Sequence, residues 1–396
     1  MTYLNDLVDD LHNQFGEIVQ NRRYLHQHPE LSFEEKETPQ FIATHLREYD
    51  IEVQENIGGR GVVGIIHGEH PGKTIALRAD FDALPIHDQK DVPYKSTVSG
   101  IMHACGHDGH TASLLAVSKV LQKHKEYLHG TVKVIFQHAE EKPPGGAKFM
   151  IEDGVLNDVD YVFGAHLATE FPIGKLATRA GASMASVDAF KVTILGKGGH
   201  GARPHETKDS IVAITQLVQQ LQQIVSRRIN PTEAAVVTVG SIHAGNAFNV
   251  IADTAELEGT VRALNKDVRV QIEEEIRAIL EGLKIANHVD YDLEYLHGYP
   301  VLINPEKETR LVENLIKKQF GQDSFIHKQA VLGAEDFAYY LQKRPGAYFH
   351  VGAHNDDPAT QFPHHHPNFD FDEKALLNIG VTFLSIINHY LIDIEK

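Results

Sequence analysis

Four runs, "GVVGIIHG", "TIALRAD", "TVKVIFQHAEE" and "YVFGAHL", constrain the fold most. Each is largely unbroken apolar sequence, whereas a strand with one wet face alternates apolar and polar residues. Strands of this kind need cover on both faces. Helical stretches between several of them supply it, including one opened by "GHTASLLAVSKVLQKH". The pattern predicts an α/β domain around a buried sheet. Ahead of it, Leu4, Leu7, Leu11, Phe15, Ile18 and Leu25 recur at helical spacing. They predict one helix ending at "HQHPE", because the residue before a proline is pushed out of helix.

Near residue 185 the pattern changes. "DAFKVTILGKGGHGARPH" reads as a strand and a Gly-rich turn, followed by a helix with Ile211, Ile214, Val218, Leu221 and Val225 on one face. Two strand-like runs, a second helix and "VDYDLEYLHG" complete β-α-β-β-α-β, a self-contained α+β unit of ferredoxin-like order. After residue 300 a helix, a Gly-rich stretch and a final helix return to the first style. The expected organisation is therefore a small domain, 186–298, inserted into a larger one made of 1–185 and 299–396. A length of 396 residues fits two or three domains.

A net charge of −17 repels nucleic-acid backbones and anionic membranes, so neither is an expected partner. No apolar run is expected to reach the length of a membrane span. "MTYLNDLVDDLHNQF" carries acids where a signal peptide carries bases. A single cysteine, Cys105, forms no internal disulfide and fits a reducing compartment, so the expected location is cytoplasmic.

The presence of 26 histidines hints at metal, and their positions sharpen the hint. In open α/β sheets, sites form beyond the carboxyl ends of strands. "TIALRAD" ends on Asp80, "TVKVIFQHAEE" on Glu140 and Glu141, and "YVFGAHL" near His166. "MHACGHDGH" offers His103, Cys105, His107, Asp108 and His110; "FPHHHPNF" offers His364, His365 and His366. Taken singly, a strand-end glutamate is usually solvated, a free cysteine is usually a small buried hydrophobe, and a histidine run in a loop is usually surface. Together they converge on one edge of one sheet. Two adjacent strand-end carboxylates can then divide the work. One binds a divalent cation and the other takes a proton from metal-activated water.

With these residues in place, the chain resembles the M20 metallopeptidase family, in the amidohydrolase branch that hydrolyses N-acyl amino acids, aminobenzoyl-glutamate and auxin conjugates. The resemblance runs through "RRYLHQHPELSFEE", "ALRADFDALP", "MHACGHDGHTA", "FQHAEE", "GAHL", "GKGGHGARPH", "NVIADTAELEGTVR", "GAEDF" and "HHHPNFDFDE". It implies a mixed-sheet, zinc-peptidase-like catalytic domain carrying an inserted ferredoxin-like lid and dimerisation domain. It also implies Cys105, His107, Glu141, His166 and His365 as ligands of two divalent transition-metal ions (Zn, Mn, Co or Ni), and Glu140 as general base. His200 would polarise the substrate carbonyl, and Asn249 and Arg262 would hold its carboxylate. Asp80 and Asp108 would support the ligands from behind. The expected substrate is an N-acyl amino acid or short peptide, and the expected assembly a homodimer or homotetramer through the lid. Two departures stand out: Arg78 replaces the histidine of a wider-family His-x-Asp motif, and His138 replaces a proline. The alternatives are a metal-independent thiol hydrolase using Cys105, with His107 or His110 as base, and a metal-binding protein without turnover. "GKGGHG" lacks the Ser or Thr and the spacing of a phosphate loop.

Overall fold

The structure is a computed structural model, and it describes residues 2–393. Met1 and 394–396, the outer ends of the expected 1–185 and 299–396 segments, lie outside the described residues. Two compact units emerge. The first holds the described residues up to Gly181, Ile303–Gln329 and those from Asp336 onward; the second holds Ala182–Leu302 and Ala330–Glu335.

The first unit is built on an eight-stranded mixed sheet. Its spatial order is Glu52–Ile57, Gly61–His67, His129–Gln137, His70–Asp80, Tyr161–Pro172, Gly346–His354, Leu176–Thr178, Phe325–His327. The four strands from His129–Gln137 to Gly346–His354 run parallel. Their apolar residues are buried on both faces: Ile75, Ala76, Leu77 and Ala79 are each at most 1% exposed, which is why the runs do not alternate. The helix His107–Lys123 packs on this sheet and is itself buried almost all round.

The structure corrects three expectations here. The first helix is two, Thr2–Asn13 and Phe15–Gln27, parted at Gln14, whose ψ of 1° leaves the helical range. The Gly-rich stretch after residue 300 contains a central strand, Gly346–His354, whose apolar run is interrupted by His350 and Gly352. One segment among the described residues, Ala375–Ile392, does match a membrane span in length and hydropathy. It is 67% buried within the protein, and Leu376, Ile379, Phe383, Leu384 and Ile387 belong to the main core. A helix enclosed on most sides has no polar face to show.

The second unit has strands Ser186–Leu195, Ala235–Ala244, Thr254–Ala263 and Asp290–His297, and helices Ser210–Gln223 and Lys266–Asn287. The sheet order places the third and first strands centrally, all pairs antiparallel, which is the ferredoxin-like arrangement. Asp209 caps the first helix by accepting from the Ile211 and Val212 amides; Asn265 caps the second through the Asp267 amide.

Candidate metal centre

The parallel strands deliver their polar residues to one edge. Asp80 lies in register with Gln137, and Glu140 and Glu141 follow immediately beyond. His166 is in register with His350. Between Cys105 and His107 the chain passes through Gly106 at φ +89°, a left-handed position where an L side chain costs about 1–2 kcal/mol. A Gly106→Ala variant is expected to lose about that much stability in urea unfolding, with the added Cβ 3.0 Å from Leu167 Cδ1. The His365 loop is fastened alongside by its own amide, which donates to Ala104 O at 2.8 Å.

The five expected ligands meet here. Donor atoms of Cys105, His107 and His166 lie within 4.8 Å of one another, as do those of Cys105, Glu141 and His365, and those of His107, Glu140 and Glu141. Cys105 belongs to two of these groups. Hydrogen bonds fix the imidazole tautomers. His107 Nδ1–H donates to Asp82 O (2.9 Å) and Asp82 Oδ1 (3.2 Å), and His166 Nδ1–H donates to Leu167 O (2.5 Å). In its neutral form, the form that binds a metal, each ring therefore turns an Nε2 lone pair inward. That of His166 is 3.5 Å from Cys105 Sγ; that of His107 is buried with no hydrogen-bond partner. Around it stand Asp80 Oδ1 at 3.8 Å, Glu141 Oε1 at 3.9 Å and Glu140 Oε2 at 4.0 Å.

The electrostatics fit a cation. Burial, then the carboxylates of Glu141, Glu140 and Asp80, push the Cys105 thiol well above its usual range. Burial alone would lower His107, but Asp80 and Asp82 outweigh it and raise it to about 10. Without a cation, the cluster thus holds protons on Cys105 and His107, which must lose them to become ligands. A buried, orphaned Nε2 facing carboxylates and a thiol is a donor set that divalent transition ions satisfy.

Asp80 also has an oxygen within 4.8 Å of donor atoms of His107 and His110, but both its oxygens already accept hydrogen bonds. Its Oδ2 accepts from Arg78 Nη1 at 2.5 Å and its Oδ1 from His110 Nδ1 at 2.6 Å. His110 Nε2 in turn accepts from the Leu167 amide at 2.9 Å, so His110 is fixed as a brace. Asp108, behind His107, accepts from Arg22 and His26. His138 is buried against Phe33, ring centroids 5.8 Å apart, and burial lowers it to about 4. It is therefore a neutral packing group. His103 is buried with neither nitrogen paired, and His364 packs its ring on His166 and Phe369.

His200, Asn249 and Arg262 belong to the second unit. The two-residue strands Gly199–His200 and Val250–Ile251 pair, placing His200 beside Asn249, and the Gly201 amide donates to Asn249 O. His200 Nδ1 accepts from the Ala202 amide at 3.1 Å, so the neutral ring carries its proton on exposed Nε2 as a donor. Arg262 lies half-buried on Thr254–Ala263. Sequence reasoning missed Asp82, which sets the His107 tautomer. Its signal was the Asp-Phe-Asp alternation in "ALRADFDALP": two residues on, a strand-end acid faces the same side as Asp80.

Comparisons with known proteins agree on one family. Residues 76–389 match the profile of Peptidase family M20/M25/M40. YhaA of Bacillus subtilis, an amidohydrolase by name, is 48% identical over 376 residues, covering 95% of each chain. Hippurate hydrolase of Campylobacter jejuni is 37% identical, covering 98% of this chain and 100% of its own. The crystal structure of the Bacillus subtilis YXEP protein, a dinuclear metal binding peptidase from the M20 family, is 35% identical with a TM-score of 0.81, covering 95% of this chain and 98% of its own.

Proposed function

Because the chain belongs to the M20/M25/M40 peptidase family, we propose that it is a two-metal hydrolase cleaving the amide bond of N-acyl amino acids or short peptides with a free carboxylate. The observation that carries this reading is the pair of donor groups sharing Cys105, with Glu140 beside them. Cys105, His107, Glu141, His166 and His365 would hold the ions. A thiolate with imidazoles favours Zn, Mn, Co or Ni over Mg or Ca. Such ions polarise an amide carbonyl and acidify the attacking water. Glu140 takes that water's proton and returns it to the leaving amine. His200, donating through Nε2, steadies the oxyanion, and Asn249 and Arg262 receive the substrate carboxylate. Residues 186–298 act as a lid and dimerisation domain between 1–185 and 299–396, which form the catalytic domain. The same unit would carry association into a homodimer or homotetramer. The names of the relatives, an amidohydrolase and a hippurate hydrolase, support the acyl-amino-acid substrate, and the charge and single cysteine support a cytoplasmic setting.

A thiol hydrolase is disfavoured by the same electrostatics. A nucleophilic cysteine sits in an electropositive setting that lowers its pKa, whereas Cys105 is buried among carboxylates that raise it. The test is amine release from N-acetyl amino acids, acyl-glycines and dipeptides, with matched C-terminal amides. Turnover is expected only after Zn, Mn, Co or Ni is supplied, to stop in EDTA, and to be weak on the amides. Activity that survives EDTA and dies with iodoacetamide would install the thiol mechanism instead.

A further inference from the structure

Three sequence motifs, "RRYLHQHPE", "MHACGHDGH" and "HHHPNFDFDE", meet at one side chain. Arg22, on the helix Phe15–Gln27, is fully buried. Its Nε donates to Asp108 Oδ2 at 2.9 Å, its Nη2 to Asp370 Oδ1 at 2.7 Å and its Nη1 to Glu373 Oε1 at 3.2 Å. The guanidinium lies between the rings of Tyr94 and Phe371, 4.8 and 4.4 Å from their centroids. Tyr94 OH donates to Asp370 Oδ2 at 2.8 Å.

The acids it joins belong to different ligand-bearing segments. Asp108 directly follows His107; Asp370 and Glu373 follow His365 on the same loop. A second strut runs alongside. Lys90 Nζ donates to Phe369 O and to His26 Nε2, both at 2.8 Å, and His26 Nδ1–H donates to Asp108 Oδ2 at 2.8 Å. Burying these charges is expensive, and apolar side chains of similar volume would fill the space at less cost. What apolar packing lacks is a rigid planar fork that holds three carboxylates at set positions.

We propose that Arg22 is a positioning residue: it sets the separation between the Cys105–His107 segment and the His365 loop, and through it the cation affinity of the site. The inference rests on the metal-hydrolase reading above. The test is cobalt titration of the metal-free full-length protein, following the near-ultraviolet thiolate-to-cobalt band from Cys105 and the visible ligand-field bands. Arg22→Lys keeps the charge and loses the fork, and is expected to bind cobalt about 10–100-fold more weakly, with altered ligand-field bands and a wild-type far-ultraviolet circular dichroism spectrum. Arg310→Gln, a change at a side chain 72% exposed and paired with Glu306 on its own helix, is expected to match wild type. Asp370→Asn preserves shape and loosens only the His365 end, so it carries the test if Arg22→Lys does not fold; it is expected to weaken cobalt binding in the same direction. Wild-type affinity and bands in Arg22→Lys, or in Asp370→Asn where it stands in, overturn the proposal. Absence of any thiolate band in the wild-type protein overturns the metal reading itself, and this proposal with it.

Discussion

Glu140→Gln is expected to lower kcat by about 10²–10⁴ while the protein still binds cobalt. Glu140 is 6% exposed and sits just past the strand His129–Gln137, beyond Ala139, whose φ of +52° turns the chain. That turn gives the two adjacent carboxylates different surroundings. Glu141 reaches His365 Nε2 at 3.2 Å and shares a donor group with Cys105; Glu140 is absent from that group and reaches toward His107. In the proposed division of work, Cys105, His107, Glu141, His166 and His365 hold the cations and Glu140 accepts the proton. Glutamine matches its shape but cannot accept that proton. The measurement is steady-state amine release from the best N-acyl amino acid, set beside cobalt titration of the same preparation. Undiminished turnover with intact cation binding would remove Glu140 as base and favour a protein that holds metal for another purpose.

The legible part of this protein was whatever depends on local chemistry. Continuous apolar runs give buried strands because both faces of the sheet are covered, and the strand-end acids announce the functional edge. The ferredoxin-like order of the second unit followed from the same periodicities. Less legible were the features that arise only when distant segments meet. Gly346–His354 escaped notice because His350 and Gly352 break its apolar run, although its neighbours in the sheet bury both faces. Asp82 looked like one more loop acid until the fold brought His107 Nδ1 to it. Arg22 and Arg23 are adjacent in sequence and look alike. Both reach Glu373 in the C-terminal loop, yet Arg22 is fully buried and also bonds Asp108 and Asp370, whereas the Arg23 side chain is 44% exposed. His138 shows the reverse case. A histidine beside two glutamates invites a chemical role, yet its burial against Phe33 makes it packing.

The largest loss of stability is expected from Arg78→Met, at about 3–5 kcal/mol, the cost of removing one partner of a fully buried ion pair. Arg78, Asp80 and Asp336 have fully buried side chains. The guanidinium donates to Asp80 Oδ2 at 2.5 Å, to Asp336 Oδ1 at 2.9 Å and, through Nε, to Gln137 Oε1 at 2.9 Å. Asp336 also accepts from the Gln137 amide group and from the Ala147 backbone. Arg78 is thus the internal counter-charge for an edge crowded with carboxylates, standing where the wider family places a metal-binding histidine. Its fixed positive charge holds Asp80 as a brace for His110. Methionine fills most of the volume but strands two buried carboxylates without their cation. Against a typical domain stability of about 5–15 kcal/mol, the loss is severe. The double variant Arg78→Met/Asp336→Asn is expected to recover part of it, because one of the stranded charges is gone. Urea unfolding of the metal-free single and double variants measures both quantities. Equal midpoints for wild type and Arg78→Met would mean that the carboxylates find compensation elsewhere, and that the charge balance of the edge does not depend on this arginine.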